Sequence, residues 1–398
     1  MPSLVAWNRT GVAGAVLLAL SISLGANAQA PSPFSALPLT AESPADNPST
    51  PEKVALGRLL FWDPVLSGGQ DISCATCHHP KHGYADGRAL PIGTGGKGIG
   101  PTRVFPAGAN PLVRRNSPTI LNVAFNGINE AGHVDPAQAP MFWDVRARGL
   151  EAQALIPVDS LEEMRGGRVP EGGAVEAAVE RVRRVRQYQT LFQRAFGGTD
   201  AVSAQNMARA IAAFERSLIT PDAPFDRYMR GDRSAMTAIE LRGMAAFDDH
   251  GCTQCHRGPM LSDYALHVIG VSDNSALGAA DPGAEHRYAF RTASLRNLAY
   301  TAPYMHSGLL ADLPSAVGFY KIVGGGGGLL QHFAEPLVLN GHLVLGSPVS
   351  RDQLDPLLRQ VNVNTQLDDI VAFLATLNGE FDRTIPVRVP SGLKVGGR

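Results

Sequence analysis

The stretch Asp71–Gly87, "DISCATCHHPKHGYADG", decides the fold of this 398-residue chain. It contains the motif C-x-x-C-H, formed by Cys74, Cys77 and His78, and a second copy, "CTQCH", begins at Cys252. In this motif two cysteines form thioethers with the edge of a porphyrin, and the adjacent histidine ligates the iron. Because the two motifs use all four cysteines of the chain, the sequence predicts two covalently bound haem c groups.

Two other uses of the cysteines fit the spacing less well. Four cysteines in an exported chain would normally form two disulfides, but a disulfide does not need a histidine directly after each pair. A zinc site could use both pairs, yet it would not need both histidines at that position. The predicted haem-binding residues are therefore Cys74, Cys77 and His78 for the first haem, and Cys252, Cys255 and His256 for the second.

Residues 1–28 are predicted to be a secretory signal peptide. The segment "MPSLVAWNRT" carries Arg9 and no acidic residue, "GVAGAVLLALSISLGA" is apolar, and small residues suit cleavage near Ala28 or Ala30. The apolar run is too short and wrongly flanked for a membrane span, and an uncleaved anchor is the alternative interpretation. We therefore expect an exported protein without stable membrane insertion.

The composition limits the fold class and the partners. Lys and Arg total 35 against 36 for Asp and Glu, so the charges balance and nothing indicates nucleic-acid binding. The 43 glycines and 29 prolines predict extensive loops, and few segments alternate β-branched residues. We predict a mainly α fold with long loops between the helices.

The sequence before each haem motif follows a similar plan. A short helical stretch carries G-x-x-x-F at Gly57–Phe61 and again at Gly243–Phe247, and a polar loop then leads into the motif. This repeat predicts two cytochrome c-like haem domains, at residues 45–200 and 201–398, although the similarity could also arise by chance. An amphipathic helix with Ser203 as its N-cap is predicted just after the boundary.

Four further phrases carry a family resemblance: "RRNSPTILNVAFN", "FWDVRARGLEAQALIPV", "ARAIAAFERSL" and "LRNLAYTAPYMHSG". In these phrases the chain resembles the bacterial di-haem cytochrome c peroxidase family, which includes the methylamine-utilisation enzyme MauG. The resemblance implies a periplasmic enzyme whose N-terminal domain reduces hydrogen peroxide and whose C-terminal domain transfers electrons. The electrons would come from a small cytochrome c or cupredoxin, or from a protein substrate. A di-haem electron-transfer cytochrome without catalysis is the alternative.

The resemblance also implies catalytic residues between the motifs. Gln153 and Glu163 would lie on the open side of the first haem, and Trp143 would relay electrons between the haems. Peroxide cleavage needs a group that moves a proton from the inner to the outer oxygen, and burial beside an apolar haem face would raise the pKa of Glu163 for this role. The alternatives are an exposed Glu163 in the acidic turn "DSLEEM", where Glu162 is equally available, and a core packing role for Trp143.

A calcium site is implied near the interface of the two domains. Asn116 and the backbone oxygens of Thr301 and Pro303 would bind the ion. Alternatively, Asn116 caps a turn before Pro118. The implied cofactors are thus two haem c groups and one calcium ion.

One departure from the family pattern concerns the first haem. In the peroxidases proper, a histidine sixteen residues after the proximal histidine caps the resting iron, whereas this chain has Thr94 at that position. His79 and His82 are too close to His78 along the chain to cross the porphyrin plane, and we expect them at the surface or beside the propionates. The first iron is therefore predicted to be five-coordinate or water-bound.

A second departure concerns the second haem. Tyr320, fourteen residues after His306, stands where the peroxidases proper have methionine. A phenolate favours ferric and higher oxidation states, and tyrosine is the residue of the MauG-like branch. The alternatives are Met305 as the ligand and Tyr320 as a core residue. His250 stands where MauG has the tryptophan that passes charge to its substrate, so that substrate is not carried over.

Overall fold

Short helices joined by loops make up most of the computed structural model, which describes residues 1–4, 6, 32–106, 111–325, 337–339, 342–344 and 348–397. The predicted mainly α fold is confirmed. The α-helices of the described residues are α1 (Pro51–Trp62), α2 (Cys74–Cys77), α3 (Leu150–Gln153), α4 (Ile156–Asp159), α5 (Ala174–Arg183), α6 (Arg186–Phe196), α7 (Ala204–Arg216), α8 (Pro224–Met229), α9 (Ala238–Asp249), α10 (Leu313–Val323) and α11 (Leu367–Ala375).

The strands are short and pair only as antiparallel two-stranded ladders in the described part of the chain. They are β1 (Pro140–Met141) with β2 (Ala147–Arg148), β3 (Leu266–His267) with β4 (Phe290–Arg291), and β5 (Leu337–Leu339) with β6 (His342–Val344). Among the helices given above, none is long and apolar enough to cross a membrane. The predicted signal peptide lies almost entirely outside the described residues and stays a prediction.

Several helices begin at caps that the sequence encodes locally. The hydroxyl of Ser203 accepts a hydrogen bond of 3.2 Å from the backbone N–H of Asn206, which confirms Ser203 as the N-cap of α7. At the start of α9, Thr237 and Glu240 form a reciprocal capping box. These caps satisfy backbone donors that have no partner within the first turn of a helix.

The repeated glycines mark two helix crossings of the same kind. Helix α1 packs on α7, and α9 packs on α11. A Cβ atom added at Gly57 would lie 1.8 Å from the carbonyl oxygen of Ala210, and one added at Gly243 would lie 1.8 Å from that of Asp369. Only glycine permits so close an approach of two backbones, so the G-x-x-x-F repeat reflects a duplicated helix pair beside each haem motif.

Each end of the described chain packs on the half of the molecule that is distant from it in sequence. Phe34 lies in the hydrophobic core around α9 and α11, with its ring 5.7 Å from that of Phe373. At the other end, Val395 packs in a core with Trp62 of α1. His79 is buried, and its Nε2 donates to the carbonyl oxygen of Gly397 at 3.1 Å while its Nδ1 accepts the N–H of Lys81. The expectation that His79 lies at the surface was therefore wrong, and its position beside a propionate stays a prediction.

The predicted domain limits, 45–200 and 201–398, stay a prediction. Residues 33–398 form one unit by their contacts. Because α7 packs on α1, we propose that a boundary between two haem units follows α7 rather than precedes it. The residues of α7 and of the C-terminal tail would then belong with the first motif.

Candidate active site

Both haem motifs face one connected cavity of about 380 Å³, which is partly open to solvent. The residues predicted to bind or serve the cofactors all line it: Cys74, Cys77, His78, Cys252, Cys255, His256, Tyr320, Trp143, Gln153, Glu163, Asn116, Thr301 and Pro303. The fold thus brings together side chains that are up to about 250 positions apart in the sequence. None of the four cysteines is in a disulfide, so each is free to form a thioether.

The two motif histidines have the same orientation. Nδ1 of His78 lies 3.1 Å from the carbonyl oxygen of Tyr84, and Nδ1 of His256 lies 2.9 Å from that of Leu261. Because a carbonyl only accepts, each Nδ1 carries the proton and each Nε2 is left as an unprotonated ligand atom. Burial lowers the pKa of both imidazoles, which favours this neutral form. The donor sets therefore fit two c-type haems with histidine as the proximal ligand.

Two polar side chains face the first motif from adjoining turns. Gln153 is the last residue of α3, and Glu163 lies in a single π-helical turn, Leu161–Arg165. Glu163 lines the cavity and Glu162 does not, so the structure selects between the two acidic residues of this turn. Burial raises the pKa of Glu163, the charge of Arg146 opposes the rise, and Glu162 adds to it. A carboxyl in this environment holds its proton more readily than an exposed one.

A glycine-containing loop holds the π-helical turn in place. A Cβ atom at Gly93 would lie 1.9 Å from the carbonyl oxygen of Glu162, so the loop can approach the turn only with glycine there. Thr94 is buried, and its hydroxyl donates to Oδ1 of Asp71 at 2.8 Å. The N–H of Gly95 donates to Oδ2 of the same carboxylate at 2.7 Å. Sequence reasoning noted Thr94 only as a missing histidine and did not identify Asp71.

The histidines near the first motif stay out of the cavity. His79, His82 and His133 are not among its lining residues. Thr94, at the position where the resemblance led us to look for a capping histidine, is likewise absent from the lining.

An aromatic cluster lines the cavity that both motifs face. The indole N–H of Trp143 donates to the carbonyl oxygen of Asn116 at 2.9 Å, and the N–H of Asn116 donates to the carbonyl oxygen of His306 at 2.7 Å. The rings of Trp143 and His306 meet edge to face at 6.5 Å, and His306 stacks on Phe290 at 3.7 Å. Burial lowers the pKa of His306 to about 3, so it is neutral at physiological pH. The sequence analysis used His306 only to locate Tyr320, and it did not predict the contacts of His306 with Trp143 and Phe290.

The structure does not decide whether Asn116 is a calcium ligand or the cap of a turn before Pro118. Its side-chain N–H₂ donates to the carbonyl oxygen of Arg88 at 2.7 Å, which orients the amide. Asn116, Thr301 and Pro303 all line the cavity. Oxygen ligands of this kind are those that calcium prefers.

Two candidate ligands of the second haem line the cavity. Tyr320 projects from α10, whose N-cap Asp312 accepts the N–H of Ser315 at 2.8 Å. Burial raises the pKa of Tyr320, and Cys255 adds to the rise, which places the phenol beside the second cysteine pair. Met305 also lines the cavity. The choice between Tyr320 and Met305 therefore stays a prediction.

A charged triad beside the second motif was not expected from the sequence. Nδ1 of His267 lies 2.6 Å from a carboxylate oxygen of Asp355, and Nε2 lies 3.1 Å from one of Asp263. The hydrogen bond with Asp263 is the main reason that the pKa of His267 rises to about 11, followed by Cys255, and Asp355 adds to the rise. The imidazole is therefore a cation at neutral pH. No local motif predicts it, because Asp355 is distant in sequence.

Comparisons of the chain with a family model and with related proteins agree on one protein family. A family model described as "Di-haem cytochrome c peroxidase" matches residues 51–234. The chain is 38% identical over 288 residues to the methylamine utilization protein MauG of Methylorubrum extorquens, which covers 71% of this chain and 72% of that protein. It is 32% identical over 366 residues to the cytochrome c551 peroxidase of Pseudomonas aeruginosa, covering 89% of this chain and 87% of the relative.

Solved structures show the same fold. A MauG-like protein associated with microbial copper homeostasis superimposes with a TM-score of 0.66 at 27% identity, covering 86% of this chain and 95% of that chain. The di-haem peroxidase BthA of Burkholderia thailandensis gives a TM-score of 0.62 at 22% identity, covering 91% and 98% of the two chains. At 22% identity, the similarity to BthA supports the fold alone.

Proposed function

Because this chain belongs to the di-haem cytochrome c peroxidase family and binds two c-type haems, we propose that it reduces hydrogen peroxide to water at its first haem site. A haem held by Cys74, Cys77 and His78 would supply the redox chemistry. The observation that carries the proposal is that Gln153 and the partly buried Glu163 line the same cavity as His78. A protein that only transfers electrons has no need of a buried carboxyl in this position.

The reaction consumes two electrons and two protons for each peroxide and releases two water molecules. In our proposal, the amide of Gln153 hydrogen-bonds the bound peroxide without competing for the metal. Glu163 accepts a proton from one peroxide oxygen and returns it to the other, so that the departing oxygen leaves as water. The raised pKa of Glu163 suits a group that must first accept a proton and then return it.

Trp143 is proposed to carry charge between the two haem sites. It lines the cavity between the motifs, and its hydrogen bond to Asn116 fixes the indole orientation. Electrons would return one at a time from a small cytochrome c or cupredoxin, or from side chains of a protein substrate. Asn116, Thr301 and Pro303 are proposed to bind calcium beside this relay, and the supporting observation is their shared position in the cavity wall.

The MauG-like mode is the form of the activity that we favour. Thr94 is hydrogen-bonded to Asp71 instead of lining the cavity, which supports a first haem that reacts without prior reduction. Tyr320 as the distal ligand of the second haem would stabilise its oxidised state. We further propose that residues 1–28 direct export and that the enzyme works in the periplasm, where c-type haem is attached.

The test is a single addition of hydrogen peroxide to the purified protein with both haems ferric, followed by absorption spectroscopy. A rapid change that persists for minutes supports the MauG-like mode, and a reaction only after partial reduction supports the ordinary peroxidase mode. If neither the peroxide nor cyanide changes the spectrum, the protein is an electron-transfer cytochrome and the proposal is wrong.

A further inference from the structure

The wall of the first haem site contains a second buried carboxyl, Glu215 of α7. Its side chain lines the cavity, and the residue is only 6% exposed. The carboxyl lies close enough to Cys74 to add to the rise in that thiol's pKa, which burial mainly causes. Oε2 of Glu215 has no hydrogen-bond partner among the described residues. The wall of the cavity therefore holds a buried acceptor oxygen that the protein leaves unpaired.

The duplicated helix pairs show that this carboxyl is specific to the first site. A Cβ added at Gly57 would contact Phe214, and one added at Gly243 would contact Phe373, so these two phenylalanines are equivalent. The next residue is Glu215 in the first unit and Leu374 in the second, and both line the cavity. The first site thus has an acid where the second has an aliphatic side chain.

A carboxyl in this position destabilises the fold unless it is protonated or paired. Burial raises the pKa of Glu215 to about 8, Arg216 opposes the rise, and Glu151 adds to it. A leucine would avoid the cost of burying a polar group, as the second unit demonstrates. Buried carboxyls with raised pKa values in clefts are characteristic of functional sites.

A polar connection leads from Glu215 toward solvent. Nη2 of Arg216 donates to Oε1 of Glu151 at 2.8 Å, and the side chain of Glu151 is 22% exposed. Nε and Nη1 of Arg216 are buried without a hydrogen-bond partner in the described part of the chain. A buried water bound by these donors would complete the connection to Glu215. The charged groups that act on Glu215 are Arg216 on its own helix and Glu151 of α3. Lys53 of α1 in turn acts on the same Glu151 and Arg216.

We propose that Glu215 is a proton-exchanging residue of the first haem site, which receives protons from solvent by way of Glu151 and of water that Arg216 orients. This inference rests on the proposed peroxide reduction. Glu163 only moves a proton from one peroxide oxygen to the other, so the two protons that the reaction consumes must enter from outside. Glu215 gives up its proton toward the bound oxygen and is reprotonated from the Glu151 side.

The first test is infrared spectroscopy of the resting ferric protein with both haems attached. The wild type should show the C=O band of a protonated carboxylic acid that shifts in D₂O and disappears as the pH rises through about 8. The band should be missing in Glu215→Gln and present in Glu176→Gln, a matched change of an exposed residue on α5. A spectrum that is identical in wild type and Glu215→Gln overturns the inference, and this readout does not depend on turnover.

The second test is the rate of reaction with hydrogen peroxide as a function of pH. The wild-type rate should fall as the pH rises through about 8, where Glu215 loses its proton. Glu215→Gln should react about tenfold or more slowly at pH 7, and without that fall. Glu215→Leu, which introduces the residue of the second unit, should fold and bind both haems with the same loss. Wild-type rates and pH profiles in both variants would overturn the inference, whereas an unreactive wild type would instead refute the proposed function.

Discussion

The backbone N–H of Thr94 donates a hydrogen bond of 2.8 Å to the carbonyl oxygen of Glu163. This bond joins the loop that follows the first haem motif to the π-helical turn that carries the proposed catalytic acid. Asp71 holds the same loop from its other side through Thr94 and Gly95. The position of Glu163 therefore depends on a residue just before the haem-binding cysteines.

The substitution Asp71→Ala should reduce kcat/KM for hydrogen peroxide about tenfold, because a looser loop leaves Glu163 less well oriented. Haem content and the spectrum of the second haem should not change. The measurement is steady-state kinetics beside Asp200→Ala, which removes an exposed carboxylate elsewhere. Equal kinetics in the two variants would show that the loop does not position Glu163.

The substitution Glu163→Gln should slow the reaction with peroxide about 100-fold or more, because an amide cannot accept and return the proton. Cyanide should still bind the ferric first haem, since the side chain keeps its size. Stopped-flow measurement of both reactions separates the two effects. The matched change Glu162→Gln should leave the rate unaltered because Glu162 does not line the cavity. If Glu162→Gln reacted more slowly with peroxide than Glu163→Gln, Glu163 would be excluded as the acid.

The substitution Tyr320→Phe should change the absorption and electron paramagnetic resonance spectra of the ferric second haem, since it removes the proposed ligand oxygen. The spectrum of the first haem should stay the same. Met305→Leu is the control, because Met305 lines the same cavity and is the alternative ligand. If only Met305→Leu alters the second haem, the ligand is the thioether and the argument for a MauG-like mode is lost.

The substitution Gly57→Ala should lower the free energy of unfolding by about 3 kcal/mol, because the added methyl group would overlap the backbone of Ala210 and force α1 away from α7. Gly243→Ala should act similarly on the second helix pair. Gly167→Ala is the control, since a Cβ there meets nothing within 4 Å. Urea unfolding measures all three, and a neutral Gly57→Ala would contradict the close crossing.

The stability contribution of His267 should depend on pH. Its pKa is raised from 6.5 to about 11 by Asp263 first, by Cys255 second and by Asp355 in addition, so the folded state binds the proton more tightly than the unfolded chain. The resulting stabilisation is complete below about pH 6.5 and is lost as the pH rises toward about 11. The deficit of His267→Gln in unfolding free energy should thus be larger at about pH 6 than at about pH 9. The exposed His133→Gln should show no such trend, and equal deficits of His267→Gln at both pH values would refute the charged triad.

Local patterns were enough to predict much of this molecule. The cysteine spacing predicted both haem sites, because all residues of a C-x-x-C-H motif are neighbours in the sequence. Ser203 predicted a helix start for the same reason. Features formed by distant residues could not be predicted in this way. His79 pairs with Gly397, 318 positions away, and Asp71 reaches Thr94 across a loop whose shape no periodicity encodes.

The burial of Glu215 is a second feature that the sequence alone could not predict. The residue lies within a phrase whose apolar spacing predicted a helix, and a glutamate on a helix is usually exposed. Its burial becomes visible only when the two helix pairs are compared in space, because Leu374 then identifies the side of α7 that faces the cavity.

The hydrogen bond between His79 and Gly397 ties a distant segment to the residue that follows His78. Val395, in the same segment, packs in the core that contains Trp62 of α1. A chain cut before Val395 keeps Cys74, Cys77 and His78 but loses these contacts. Such a shortened protein should still acquire its first haem yet hold it loosely.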